Sequence, residues 1–245
     1  MGTTKYAVVN RSTLITDADA YTMWRAADLQ LRQHVAPAWE RLPMDSVFVG
    51  LQGAVPEGYY PIYLLDDPDQ AGDLGYHTED PGGRPYGRVF ARPVLTAVGG
   101  SVLSGGLSVA SVLSHEVVEF FVDIGCNLWA DRGDGTYVAY EACDPVEEDS
   151  YSVQATDSAG AEVAVSVSNF VLAAWFDPMA TAPGTQYDWV KKLVAPLQVA
   201  SGGYVVVLDS RTGKISQFFA SEEGRALHAT TRPAHPAARS ARRAA

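Results

Sequence analysis

Basic residues are scarce in this chain: its 245 residues include 18 Lys and Arg against 29 Asp and Glu, a formal net charge of −11. The deficit is deeper over most of the length. Residues 221–245 hold five arginines and two glutamates, which leaves 13 basic and 27 acidic side chains in residues 1–220. Phosphate backbones are bound by clustered Lys and Arg, so no nucleic-acid partner is expected. Long apolar runs are missing too. No window reaches the roughly 18 apolar residues that span a bilayer, and residues 1–6 (MGTTKY) show no basic stretch leading into an apolar one. No membrane partner is expected, and the chain reads as soluble and cytoplasmic. Cys126 and Cys143 are the only cysteines. Two make no disulfide framework, and they read as small buried hydrophobes.

What the chain has is core material. Hydrophobic residues make up 47% of it, which is ample for a folded domain and unlike a disordered composition. Residues 5–10 read as a first strand. Thr16 or Asp17 then caps a helix through about His34, with Ala20, Trp24, Ala27, Leu31 and Val35 on one apolar stripe and Pro37 at its end. Residues 46–51 and 59–65 are strand-like. Residues 66–85 read as a long acidic, glycine-rich loop holding Asp73-Leu74-Gly75-Tyr76-His77, and loops of that length are often functional. Residues 86–95 suggest another strand, with Pro93 at an edge. From 107 to 124 the chain is almost continuously apolar, a helix buried on most sides, with Gly125 as its stop.

Three hairpins are expected beyond that helix. One turns at Gly133-Asp134-Gly135 between 127–132 and 136–143, the second joins 151–155 to 163–167, and the third joins 204–209 to 214–219. A short helix is expected over 188–194. Antiparallel hairpins around a buried central helix define an α+β fold. The reading is one domain over 1–220 and a disordered Ala/Arg/Pro-rich tail over 221–245.

The central helix carries the chemistry, in Ser114-His115-Glu116-Val117-Val118-Glu119. His115 and Glu119 are four apart, so on a helix they lie one turn above the other and can reach one cation. Glu116, about 100° round the helix, can face a metal-activated water as general base. In the HExxH pattern of zinc peptidases the last position is His; here it is Glu119, giving HExxE. Burying such groups costs free energy unless they are paired or ligated. Asp123 lies about 12 Å along the axis from His115, too far to share its ion, and is expected to cap the helix or pair with a basic residue. The third ligand is expected from Tyr140–Asp149: Glu141 or Asp144, with Glu147 next. Cys143 would share a strand face with Glu141. The expected ion is zinc or another divalent cation such as calcium or manganese. His77, beside Gly75, is expected to hydrogen-bond a substrate carbonyl or supply a ligand, with Tyr76 as a neighbour of the same kind.

Residues 113–119 (LSHEVVE), 122–129 (VDIGCNLW), 140–147 (YEACDPVE) and 167–178 (VSNFVLAAWFDP) resemble a family of uncharacterised bacterial and phage-associated proteins, as do 73–77 (DLGYH) and 202–207 (GGYVVV). The HExxE helix alone also resembles that of zincin metallopeptidases. That resemblance implies a metal-dependent hydrolase acting on a peptide or protein, with His115, Glu119 and a downstream acid on the metal, Glu116 as base and His77 or Tyr76 at the oxyanion. The other expectation is a non-catalytic structural or assembly-associated binding protein with a structural metal or a hydrogen-bonded cluster.

Overall fold

In the first strand, β1 (Lys5–Asn10), residues Tyr6 to Asn10 are buried on both faces of a sheet. Tyr6 and Val8 belong to the main core, while Ala7 and Val9 join Val49 in a small cluster behind it. That alternation is the period-2 signature of a strand covered on both sides. The computed structural model describes residues 4–69 and 73–221.

The main sheet contains β1, β2 (Asp45–Val49), β3 (Tyr60–Leu65), β4 (Gly75–Glu79) and β5 (Pro85–Phe90). Their order is β2-β1-β3-β5-β4. Four of these strands pair in parallel, and β4 runs antiparallel along the edge beside β5. Parallel neighbours need crossovers. The first is α1 (Asp17–Gln30), whose N-terminus is capped where Thr16 Oγ1 accepts the Asp19 N–H at 3.1 Å.

The later half is built of hairpins. Strands β6 (Trp129–Asp131), β7 (Thr136–Ala139), β10 (Tyr204–Asp209) and β11 (Ile215–Phe219) form an antiparallel sheet ordered β11-β10-β7-β6, and β8 (Ser150–Thr156) pairs with β9 (Glu162–Ser168). The fold class is α+β, with the motif helix α4 (Val109–Val122) at its centre. On one side α4 meets β3, β4 and β5, and on the other it meets β9 and α1. Helix α1 in turn touches β1, β2, β8 and β9. The two helices thus lie between the main sheet and the β8–β9 hairpin, which is why all fourteen residues of α4 are buried. No helix among the described residues is long and apolar enough to cross a membrane.

Several local expectations are corrected. Residues 75–79 form the edge strand β4, not part of a loop, because they find β5 as partner. The first helix continues through a π turn (Leu31–Val35) into α2 (Ala36–Ala38) and stops one residue past Pro37. The wide turn removes the clash a proline ring makes with the carbonyl four residues back. Pro93 sits in the first turn of α3 (Ala91–Thr96), where its missing N–H costs nothing, and the strand stops at Phe90. Helix α4 ends at Val122 with Asp123 as its C-cap, before Gly125. Strand β7 ends at Ala139, so Glu141 and Cys143 do not share a strand face. Residues 188–194 form a bridge from Asp188 to Val171 and turns in place of a helix. Residues 222–245, which include almost all of the expected tail, lie outside the described residues.

Candidate metal centre

The sequence positions α4 firmly. Ser108 Oγ accepts the Ser111 N–H at 3.0 Å and Ser111 Oγ accepts the Ser108 N–H at 3.2 Å, a reciprocal cap at the N-terminus. Val112, Leu113, Val117, Val118, Phe120 and Phe121 surround the motif in the core. Within this apolar setting His115, Glu116 and Glu119 are 4%, 2% and 4% exposed.

His115 meets three carboxylates. Its Nε2 lies 3.3 Å from Glu119 Oε1 and 3.3 Å from Asp144 Oδ1, and its Nδ1 lies 3.5 Å from Glu147 Oε2. Asp144 and Glu147 come from a 3-10 turn (Asp144–Val146) and the residue after it. That turn is seated by close backbone packing: a Cβ at Gly203 would stand 2.2 Å from the Pro145 carbonyl oxygen, so only glycine fits. Glu119 Oε1 also accepts the Cys143 N–H at 3.1 Å.

His77 approaches from the other side, on the edge strand. Its Nε2 donates to the Asp123 carbonyl at 3.1 Å, since a carbonyl can only accept. This leaves Nδ1 facing Glu116 Oε2 at 3.6 Å and Glu119 Oε2 at 3.8 Å. The approach depends on Gly75, where a Cβ would lie 2.7 Å from Glu116 Oε1 and 3.0 Å from Val112 Cγ1. Phe120 stands edge-on to the His77 ring, with centroids 6.1 Å apart.

These separations are informative. Charge-assisted N–H···O bonds are about 2.7–2.9 Å long, and the contacts at both histidines are longer. Ligand atoms round a tetrahedral ion with bonds of about 2.0–2.1 Å stand roughly 3.3–3.4 Å apart. The His115 distances match that spacing, and those at His77 approach the roughly 3.6 Å of a trigonal arrangement. Two groups could therefore hold an ion: His115, Glu119 and Asp144, and His77, Glu116 and Glu119.

The electrostatics suit proton or metal binding. Burial opposes charge on His115, but Glu119, Glu147 and Cys143, with the Asp144 contact, raise its pKa well above the usual value. Burial also opposes charge on His77, and Cys126, Glu116 and Glu141 raise its pKa in the same way. Burial pushes Glu119 up to about 8, with Asp144 and Glu141 adding and His115 opposing. Asp144 is raised to about 6, again by burial first. The site holds more proton affinity than its residue types would suggest.

Each residue singled out in the sequence has a definite place. Asp144 joins His115 and Glu119, while Glu147 sits against the outer nitrogen of His115. Glu141 is near enough to act on the charge of His77, Glu119 and Asp144 but belongs to neither ligand group. The Cys143 thiol turns to the His115 carbonyl at 3.8 Å, and burial raises its pKa well above the usual thiol value. Asp123 stands at the C-cap of α4, and its carboxylate accepts the Asn127 and Leu128 N–H groups at 3.0 and 2.8 Å, which fixes the turn that follows the helix. Tyr76 turns away and donates to Asp69 at 2.6 Å. Of the two uses expected for His77, its geometry fits a ligand better than an oxyanion donor. Sequence reasoning missed the Asp123 carbonyl as the group that fixes His77, and no side-chain pattern signals a backbone acceptor. Comparison with protein-family models, with curated proteins and with solved structures found no match.

Proposed function

We propose that the protein is a metal-dependent hydrolase of peptides, with His115, Glu119 and Asp144 holding a divalent cation, zinc or a harder ion such as manganese. The observation that carries this reading is the pair of 3.3 Å separations from His115 Nε2 to Glu119 and Asp144. The outer nitrogen of the same ring faces Glu147, the carboxylate–histidine arrangement that orients a metal ligand. A bound divalent ion would lower the pKa of a water molecule and polarise the carbonyl that it attacks. Glu116 is the residue to take that proton: it neighbours His115 on the helix, is 2% exposed, and its Oε2 makes no hydrogen bond. Cys143 holds Glu119 in place through its backbone N–H.

The test is metal content together with hydrolysis. The purified protein should carry a stoichiometric divalent metal that His115→Ala loses, and Glu116→Gln should abolish cleavage of a peptide library by the metal-loaded protein. Cleavage by Glu116→Gln at the wild-type rate would sink the base assignment. A stoichiometric metal with no cleavage of any peptide or ester would favour a structural metal in a binding protein. A folded protein that takes up no metal would remove the metal reading altogether.

A further inference from the structure

We infer that the centre is built for two divalent cations, the second held by His77, Glu116 and Glu119, with Glu119 bridging the pair. The inference rests on the proposed metal reading of the His115 set and goes beyond it. Three observations point the same way.

The first is the orientation of Glu119. Its Oε1 faces His115 Nε2 at 3.3 Å and its Oε2 faces His77 Nδ1 at 3.8 Å, so the two oxygens of one carboxylate serve opposite sides. A carboxylate shared in this way suits paired ions, which in two-metal sites stand about 3.5–4 Å apart.

The second is the ring of His77. Its Nε2–H is committed to the Asp123 carbonyl, so in the neutral ring Nδ1 carries a lone pair. That lone pair faces two carboxylates, Glu116 at 3.6 Å and Glu119 at 3.8 Å. A proton on Nδ1 can hold these groups together in the metal-free protein, and a divalent ion would take that proton's place between the same three atoms. Donation of the outer N–H to a backbone carbonyl is how a metal-ligating histidine is commonly oriented.

The third is Glu116. It is 2% exposed, and its Oε2 is buried with no hydrogen bond, directed at the same space as His77 Nδ1. A buried carboxylate oxygen in that condition is costly. Among the described residues, the ion-pair contacts of Glu116, Glu119 and Asp144 are with histidines alone. In the two-ion form Glu116 gives the second ion the oxygen that the one-ion reading uses as base, so the two forms make different predictions.

The experiment is to strip the full chain with chelator, titrate it with Mn²⁺ alone, and count bound ions by calorimetry and elemental analysis. Two ions per chain are expected in the wild type and one in both His77→Ala and Glu116→Gln, with folding checked by circular dichroism. Electron paramagnetic resonance of the two-ion form should show an exchange-coupled pair. One ion in the wild type, lost on His115→Ala and retained in His77→Ala and Glu116→Gln, overturns the second position and leaves the first standing. Two ions with uncoupled spectra overturn the bridge. No ion in the wild type overturns both readings.

Discussion

His115 and Glu119 lie one turn apart on a single helix, whereas His77 reaches the same carboxylate from the edge of the main sheet. The first pair is a local arrangement. It follows from helix geometry as soon as α4 forms, and Asp144 and Glu147 complete it from a turn held against Gly203. The second is tertiary. It requires β4 to pair with β5, Gly75 to clear Glu116, and the Asp123 carbonyl to fix the ring. The His115–Glu119 pair should therefore respond to side-chain chemistry, and the His77 contacts to packing.

The packed half is the more easily disrupted. Phe120 is fully buried, edge-on to both His77 and Tyr60. Phe120→Ala should cost about 3–5 kcal/mol of stability, the usual range for a core aromatic, read from urea denaturation. The cavity opens against His77, so Mn²⁺ uptake should suffer more at the His77 set than at the His115 set. A cost below about 1 kcal/mol would mean that this packing does not support the centre.

Stripping the metal should come next. An ion present at a thousandfold its Kd stabilises by about 4 kcal/mol, and that contribution should depend on pH. Without metal, Glu119 at about 8 and Asp144 at about 6 stand above their ordinary 4.5 and 3.8, and His77 and His115 are also raised. All four shifts have the same sign, so the folded metal-free protein binds more protons than the unfolded chain. The stability from Glu119 and Asp144 is fully present below about pH 4 and is lost as pH rises through about 6 and about 8. The histidine contribution is fully present below about 6.5 and falls away above it. Melting temperatures of chelated protein should therefore drop from acid to mildly alkaline pH. The rise on adding metal should grow over the same range, because ligands must be deprotonated to bind. A chelated protein that becomes more stable toward pH 8 would contradict the environment assigned to these groups.

A smaller change sharpens the contrast between the histidines. Glu147→Gln keeps size and removes the carboxylate opposite His115 Nδ1. Loss of such an outer partner typically lowers metal affinity about 10–100-fold, and calorimetry should find that loss at the His115 set. His77 offers no equivalent, because its outer partner is the Asp123 backbone carbonyl, which no side-chain exchange removes.

The same contrast explains how much of the molecule was legible in its sequence. Helix α4 was readable because its apolar run is long and carries the motif, and the hairpins were readable from turns such as Gly133-Asp134-Gly135. Asp144 and Glu147 could be named as candidates because acids recur just after the first hairpin. The strand at 75–79 was not readable: five residues beginning with glycine, next to an acidic stretch, carry little local preference, and pairing with β5 makes the strand. The parallel order of the main sheet is likewise a property of crossovers, not of any one segment. Pro93 reads as a strand end because proline breaks a sheet ladder, yet it is accommodated in the first turn of a helix. His77 looked like a loop histidine for the same reason that β4 looked like a loop.

The smallest effect tests what the two halves share. Helix α4 supplies Glu119 to both sets, so weakening the helix as a whole should affect both alike. Ser108 is fully buried, caps the helix at Ser111 N, and takes part in a reciprocal cap with the Ser111 hydroxyl. Ser108→Ala removes that acceptor and should cost about 1 kcal/mol, seen as a modest fall in melting temperature. The metal count should stay the same, and the relative affinities of the His115 and His77 sets should not move, because the cap lies a full turn or more before His115. A preferential loss at either set would mean that the N-terminal turn positions that set directly, and the division into a local half and a packed half would need redrawing.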